Sequence, residues 1–260
     1  MTDPTAPAPG SYRSVFRPGL FDGRVAWVTG GGSGIGRCDW AAFDIRDEDA
    51  VKAEVARLAA EHGRIDALVN NAGGQFPAPL AAISKRGFES VVAANLTGGF
   101  LMMREVYARS MQRHGGAIVN MTADFRNGMP GMAHSGAARA GMANLTLSAA
   151  FEWASSGVRV NAVAPGWVAS SGMDTYEGAA RALIPRLRQH VPLRRLATEA
   201  EVSAAIVFLL SPAAAFVTGV TLRIDGGAPL GNAVFPSVDH DRSQPFEGFH
   251  RAVVPKVLQP

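Results

Sequence analysis

Chemistry in this 260-residue chain is announced by short glycine- and polar-rich strings that follow apolar runs. The run at 25–29 feeds Gly30-Gly31-Gly32-Ser33-Gly34-Ile35-Gly36. Glycines at that spacing let a backbone close on a pyrophosphate, and a helix N-terminus behind them offers free N–H groups to the anion. Alone, the same string also describes a plain flexible turn. Further strings are Asp44-Ile45, Asn70-Asn71-Ala72-Gly73, Asn95 and Pro165-Gly166-Trp167-Val168. They fall where a doubly wound sheet binds ligand, and in this order and spacing they specify a nucleotide site.

The elements that must position these residues are legible from periodicity. Residues 47–62 place Val51, Val55, Leu58 and Ala59 on one helical face, with acids at the start and Gly63 at the end. Residues 65–69, 117–121 and 158–163 are strands. A long helical stretch carries Phe88, Val91, Val92, Leu96 and Leu101 towards Arg113, and a helix rich in small residues spans 135–153. Thr198-Glu199-Ala200-Glu201 is a capping box, and Val220, Leu222 and Ile224 alternate into a last strand. Strands separated by helices predict an α/β fold: a Rossmann-type doubly wound parallel sheet with helices on both faces, in a single domain. That domain is expected over 20–228, after a flexible tail at 1–19 and before a C-terminal extension at 229–260.

Composition narrows the class. Hydrophobic residues make up 47% and charged residues 18%, enough apolar material for a core. One cysteine, Cys38, excludes an internal disulfide and a multi-thiolate metal site, so no metal is expected. A net charge of +3 without a dense Lys/Arg run argues against nucleic acid. No apolar run reaches membrane-span length, and the Pro-rich start lacks a signal-peptide centre. A soluble cytoplasmic protein is expected. Trp27, Trp40 and Trp153 are assigned to the core.

These motifs resemble the short-chain dehydrogenase/reductase family along almost the whole chain. The resemblance implies that Gly30, Ser33, Gly34, Ile35 and Gly36 hold the pyrophosphate and that Asp44 and Ile45 flank the adenine. It implies further that Asn71, Ala72 and Gly73 line the nucleotide, that Asn95 holds a water in the proton relay, and that Pro165, Gly166 and Val168 approach the nicotinamide. Within the family, the peroxisomal trans-2-enoyl-CoA reductase group and its bacterial relatives are most similar. The likeness lies in Tyr12-Arg13-Ser14-Val15-Phe16-Arg17-Pro18-Gly19-Leu20-Phe21, Gly73-Gly74-Gln75-Phe76, His134-Ser135-Gly136-Ala137-Ala138-Arg139-Ala140-Gly141 and Val238-Asp239-His240-Asp241. It implies NADP as cofactor, an acyl-CoA substrate and a homotetramer. The residues themselves do not choose NADP over NAD, because no strand-end residue reading the ribose 2′ position is recognisable.

The departures from the family pattern carry the mechanism. Ser135 stands where most members have Tyr, and Arg139 where they have Lys. The upstream Ser corresponds to Ala123 or, with a one-residue slip, Thr122. Reducing a ketone creates an alkoxide that needs a positioned acid, and Ser135 is a poor acid and too short to replace a phenol. Reducing an α,β-unsaturated thioester creates an enolate, which donors can hold until carbon is protonated, a proton that water can supply. Ser135, Thr122 and backbone N–H groups are the candidate donors. Arg139 is expected to hold ribose hydroxyls and supply positive field. The expected activity is therefore enoyl-CoA reduction by hydride transfer to the β-carbon. The alternatives are a short-chain alcohol or carbonyl dehydrogenase, such as a terpenoid alcohol enzyme, and a non-catalytic nucleotide binder. His134 reads as a helix-start histidine rather than a proton donor. Arg181, Arg186, Arg188, Arg194 and Arg195 lie in the family's lid segment, as a solvated face or as CoA-phosphate contacts.

One interval is too short. Only seven residues, 37–43, separate Gly36 from Asp44. A doubly wound fold places there the rest of a helix, a second strand, another helix and most of a third strand, while one crossover alone takes at least about 10–12 residues. Several tens of residues are expected to be missing from the interval, with the break at 37–40 and adjacent Cα atoms far apart there. A continuous peptide through 37–43 would instead make this a truncated fold lacking half the adenosine pocket.

Overall fold

The computed structural model describes residues 16–30, 40–230, 235–246, 248 and 254–259. They group into two compact units, each taken by itself.

The larger unit, Gly23–Ala164 with Ile206–Arg223, is built on a central sheet. Its strands are β1 (Ala26–Val28), β2 (Ala67–Asn70), β3 (Gly116–Met121) and β4 (Val158–Pro165), in that spatial order, each pairing parallel with the next. A last strand at Thr221–Ile224 lies beside β4, where the Ala162 amide donates to the Val220 carbonyl. The expected parallel sheet with flanking helices is present. Ile65, Leu68, Ile118, Val158 and Val160 form its buried seam.

Helix α1 (Glu48–His62) obeys its local signals. Asp47 caps it by accepting from the Asp49 and Ala50 amides, Gly63 ends it at φ 74°, and Val51 and Val55 are fully buried against the core. The expected long helix runs from Lys85 to His114 as α2 (Lys85–Val92), a π turn (Ala93–Thr97), α3 (Gly98–Val106), a second π turn (Tyr107–Met111) and the short α4 (Gln112–His114). Helix α5 (Ala133–Glu152) packs on it closely: a Cβ on Gly141 would lie 2.9 Å from Leu96 Cδ2. Its small residues are thus used inside the subunit.

A buried polar chain locks α5 to the sheet. Asn70 Nδ2 donates to Asn120 Oδ1, Asn120 Nδ2 donates to Thr146 Oγ1, and Thr146 Oγ1 donates to the Met142 carbonyl. Trp27 and Trp153 pack against the core as expected, Trp153 stacked on Tyr107 with centroids 4.2 Å apart. Trp40 corrects its assignment: it is 82% exposed, because Phe43 rather than Trp40 takes the edge of Trp27.

The smaller unit comprises Met1–Asp22, Pro165–Ala205 and Ile224–Pro260. It carries a two-stranded parallel sheet of β5 (Val168–Ala169) and β6 (Ala197–Thr198), and α6 (Gly178–Leu183), which continues into a 3-10 segment, Ile184–His190. The strand at Thr221–Ile224 is thus β7. The predicted capping box opens α7 (Glu199–Leu210): Thr198 Oγ1 accepts from the Glu201 amide, and Glu201 Oε2 accepts from the Thr198 amide.

Of the suspected break at 37–40, residues 37–39 lie outside the described residues, as do 31–36 and the tail at 1–15. Among the described residues, β1 is one edge strand of the sheet and β7 the other. The inner side of β1 is held by Asp66, which accepts from the Val25 amide at 2.9 Å and from Arg24 at 3.0 Å and also pairs with Arg64. Burial pushes the Asp66 carboxyl up, but these three donors together hold it below its usual value. Asp66→Ala is expected to cost about 2 kcal/mol of stability. Because the folded-state value is lowered, that contribution is complete above the ordinary carboxylate range and fades as pH falls through the lowered value. Denaturant melts of both proteins from pH 7 downwards will show the gap closing in acid; a constant gap would contradict this account.

Candidate active site

The larger unit brings Asn95, Ser135 and Arg139 around the loop that follows β2. Thr29, at the end of β1, sets where this loop starts. Its buried hydroxyl accepts from the Asn71 and Ala72 amides at 3.0 and 2.9 Å and donates to the Val69 carbonyl, while Asn71 Nδ2 donates to the Thr29 carbonyl. Gly30 follows at φ 69°, and a Cβ there would sit 2.9 Å from Ala72 Cα, so glycine is required twice over.

Asn95 fixes the other end of the loop. It sits fully inside the π turn, buried, and its side chain makes reciprocal bonds to one residue: Oδ1 accepts from the Gly74 amide and Nδ2 donates to the Gly74 carbonyl, both at 2.9 Å. A Cβ on Gly73 would lie 2.4 Å from Asn95 Oδ1 and 2.9 Å from Arg139 Nη2. Only a bare backbone fits between the amide and the guanidinium.

Arg139 reaches from α5 to the end of β3, where Nη1 donates to the Met121 carbonyl at 2.6 Å. Its buried Nε has no hydrogen-bond partner, and no carboxylate pairs with it among the described residues. Burial lowers it to about 10, so it stays charged at neutral pH. Ser135, one turn earlier, is completely buried and donates to Gln75 Oε1 at 2.6 Å. Thr122 is absent from this cluster of available donors: its hydroxyl proton goes to the Val163 carbonyl at 2.8 Å. That corrects its reading as an enolate donor, since a hydroxyl has one proton to give.

Gln75 and Phe76 carry family likeness in the sequence but no role that is legible there. Both touch α5: Gln75 meets Ser135, and Phe76 meets the His134 ring edge-on with centroids 4.4 Å apart. His134 is fully buried, and its Nδ1 accepts from the Ser135 amide, a helix-start role as expected. Polar loop residues have no periodicity, so nothing in the sequence marks either contact.

Ser33, Gly34, Ile35 and Gly36 lie outside the described residues. Ile45 packs against the core, where a Cβ on Gly98 would meet its Cδ1 at 2.7 Å. Asp44 is held by Arg46 through two-pronged hydrogen bonding, which brings its carboxyl down to about 2. In the smaller unit, the Gly166 amide donates to the Ile224 carbonyl, a Cβ on Gly166 would lie 2.9 Å from Asp225 Cα, and Val168 pairs with Ala197. There, Arg195 forms an ion pair with Glu201 at 2.7 Å. Arg194 adopts φ 57°, donates to the Gln189 and Val238 carbonyls, and contacts the Ser237 carbonyl. Both are committed to protein groups, which corrects their reading as a solvated face or phosphate contacts.

The described cradle fits a dinucleotide. Arg139 carries the fit: it offers an unsatisfied buried N–H and an uncompensated charge to a ligand's hydroxyl or anionic oxygen.

Comparison with known proteins bears on this arrangement. A family model described as enoyl-(acyl carrier protein) reductase matches residues 32–229. A peroxisomal 2,4-dienoyl-CoA reductase, (3E)-enoyl-CoA-producing, from Pongo abelii is 33% identical, covering 85% of this chain and 88% of its own. That alignment runs over 259 positions, so several tens of them face no residue here. A cis-4-hydroxycyclohexanecarboxylate dehydrogenase from Sinomonas cyclohexanicum is 43% identical, covering 74% of this chain and 76% of its own. Among solved structures, a citronellol catabolism dehydrogenase (AtuB) from Pseudomonas aeruginosa PAO1 is 54% identical with a TM-score of 0.73, covering 84% of this chain and 99% of its own.

Asn95→Ala removes both bonds to Gly74 and is expected to cost about 1–2 kcal/mol. Hydrogen exchange will read it locally: the Gly74 amide, protected in the parent, should exchange at least tenfold faster while the amides of β3 stay protected. Unchanged Gly74 exchange would contradict the clamp.

Proposed function

The chain belongs to the short-chain dehydrogenase/reductase family, and from that premise we propose that it is an NADP-dependent oxidoreductase reducing the carbon–carbon double bond of a 2-enoyl-CoA. The observation carrying this reading is the state of position 135. Where the wider family places an acidic phenol there is a buried serine whose proton is already given to Gln75. Arg139, at about 10, does not release a proton at neutral pH either. A ketone's alkoxide product has no acid here among the described residues of the cluster. An enoyl thioester asks for less. Charge leaving the double bond settles on the thioester oxygen, where hydrogen-bond donors suffice, and the α-carbon takes its proton from water.

Bound NADPH supplies the hydride that reaches the β-carbon. Arg139, anchored on the Met121 carbonyl, holds the ribose hydroxyls and keeps a positive charge beside the reacting end. Asn95 fixes the Gly74 backbone and so sets the path of the loop beside the cofactor. Acyl-CoA as the substrate class rests on the dienoyl-CoA reductase likeness. The exposed Leu147 and Phe151 on α5 support assembly into a homotetramer. A second reading, an alcohol dehydrogenase of terpenoid breakdown, is favoured by the 54% identity with the citronellol enzyme.

NADPH oxidation with trans-2-decenoyl-CoA, and then with citronellal and matched ketones, separates the two. Turnover is expected with the enoyl-CoA; turnover with carbonyls alone would replace the first reading by the second. Arg139→Ala should weaken NADPH binding, followed by cofactor fluorescence, about tenfold, and Arg139→Lys should restore part of it. Equal binding by all three proteins would remove Arg139 from the cofactor site.

A further inference from the structure

The loop residue Gln75 and the buried Ser135 form a pair whose geometry assigns them different tasks. Ser135 has no solvent exposure, and its hydroxyl donates to Gln75 Oε1 at 2.6 Å. Its own amide is fixed from behind by His134 Nδ1 at 2.9 Å, and the His134 ring is wedged by Phe76, the residue after Gln75. Two consecutive loop residues thus grip two consecutive helix residues. Gln75 itself is exposed. With its carbonyl oxygen taken by Ser135, the amide of this exposed side chain keeps its two N–H donors for another partner.

We infer that Gln75 Nε2 is the hydrogen-bond donor to the substrate's thioester oxygen, and that Ser135 is a positioning residue that aims it. This rests on the enoyl-CoA reading above and names the donor that reading needs. As hydride arrives at the β-carbon, the double-bond pair moves between the α- and carbonyl carbons and the carbonyl π pair becomes the oxyanion. The Gln75 amide holds that oxygen without giving up its proton. Collapse re-forms the carbonyl as the α-carbon takes a proton from water, so the amide ends as it began. Tyrosine at position 135 is incompatible with this device: a phenol fills the space in which the short serine and the Gln75 carbonyl meet. Asn95 supports the aim, because it fixes Gly74, the residue before Gln75, through both backbone polar groups.

The test uses the full chain with NADPH and trans-2-decenoyl-CoA, comparing Gln75→Ala, Gln75→Glu, Ser135→Ala and the double variant Gln75→Ala/Ser135→Ala. Losing one oxyanion donor costs roughly 10²–10³ in kcat. Gln75→Ala should fall by that factor with KM within about threefold, and Gln75→Glu, which sets a carboxylate against the oxyanion, should fall at least as far. Ser135→Ala should lose about tenfold in kcat, and the double variant should be no slower than Gln75→Ala, because an aim without its donor is worth nothing. Two further readings should stay within about twofold across the set: NADPH binding by fluorescence, and binding of an S-alkyl CoA thioether that lacks the carbonyl. A Gln75→Ala kcat within threefold of the parent would overturn the assignment, as would a Ser135→Ala deficit deeper than that of Gln75→Ala. A parent enzyme with no enoyl-CoA turnover at all overturns the proposed function itself, and the donor role with it.

Discussion

The reciprocal pair of hydrogen bonds between the Asn95 side chain and the Gly74 backbone is the constraint on which the rest of the site depends. An amide side chain satisfies both polar groups of one residue only when helix and loop approach at a fixed height. The π turn at Ala93–Thr97 provides that height by swelling the helix at the residue that must project. Such single-turn bulges recur at functional sites because they move one side chain without disturbing the helix on either side. With Gly74 fixed, Gly73 must pass between Asn95 and the Arg139 guanidinium, and Gln75 and Phe76 are delivered onto α5.

The scaffold supports this from below. Thr29 ties the ends of β1 and β2 together, so the loop leaves the sheet in one direction. The Asn70–Asn120–Thr146 chain holds β2, β3 and α5 in register, which fixes Ser135 and Arg139 relative to the loop they meet. Each of these is a buried polar group with a partner, and each would cost stability if its partner were removed. Arg139 Nε is a buried donor on a charged group without a partner, as expected where a ligand completes the hydrogen bonding; Asn70 Oδ1 and His134 Nε2 nearby are buried without a partner as well.

Local signals made much of the fold legible in the sequence. Asp47 and Gly63 bound α1 because capping depends on neighbours a few residues away, and Thr198 with Glu201 closes its box for the same reason. Parallel strands followed from continuous apolar runs between helices. What escaped were long-range pairings. The proton of Thr122 goes to Val163, 41 residues on, and Gln75 meets Ser135 across 60 residues; neither partner is marked by spacing. Trp40 was misassigned because aromatic content alone does not say whether a partner surface exists. Ser135 and Arg139 were visible only through family likeness, and residues 31–39, which hold the glycine-rich turn from Gly31 onwards and the first part of the short interval after it, lie outside the described residues.

Reduction of the carbon–carbon double bond with the α-carbon protonated from solvent, rather than reduction of a carbonyl, is the central claim, and the position of the solvent-derived proton in the product tests it most directly. Trans-2-decenoyl-CoA reduced with unlabelled NADPH in D2O should give decanoyl-CoA carrying a single deuterium on the α-carbon, none on the β-carbon, and an intact thioester, as read by mass spectrometry and NMR. A product reduced at the carbonyl, or a saturated thioester without deuterium at the α-carbon, would contradict the account.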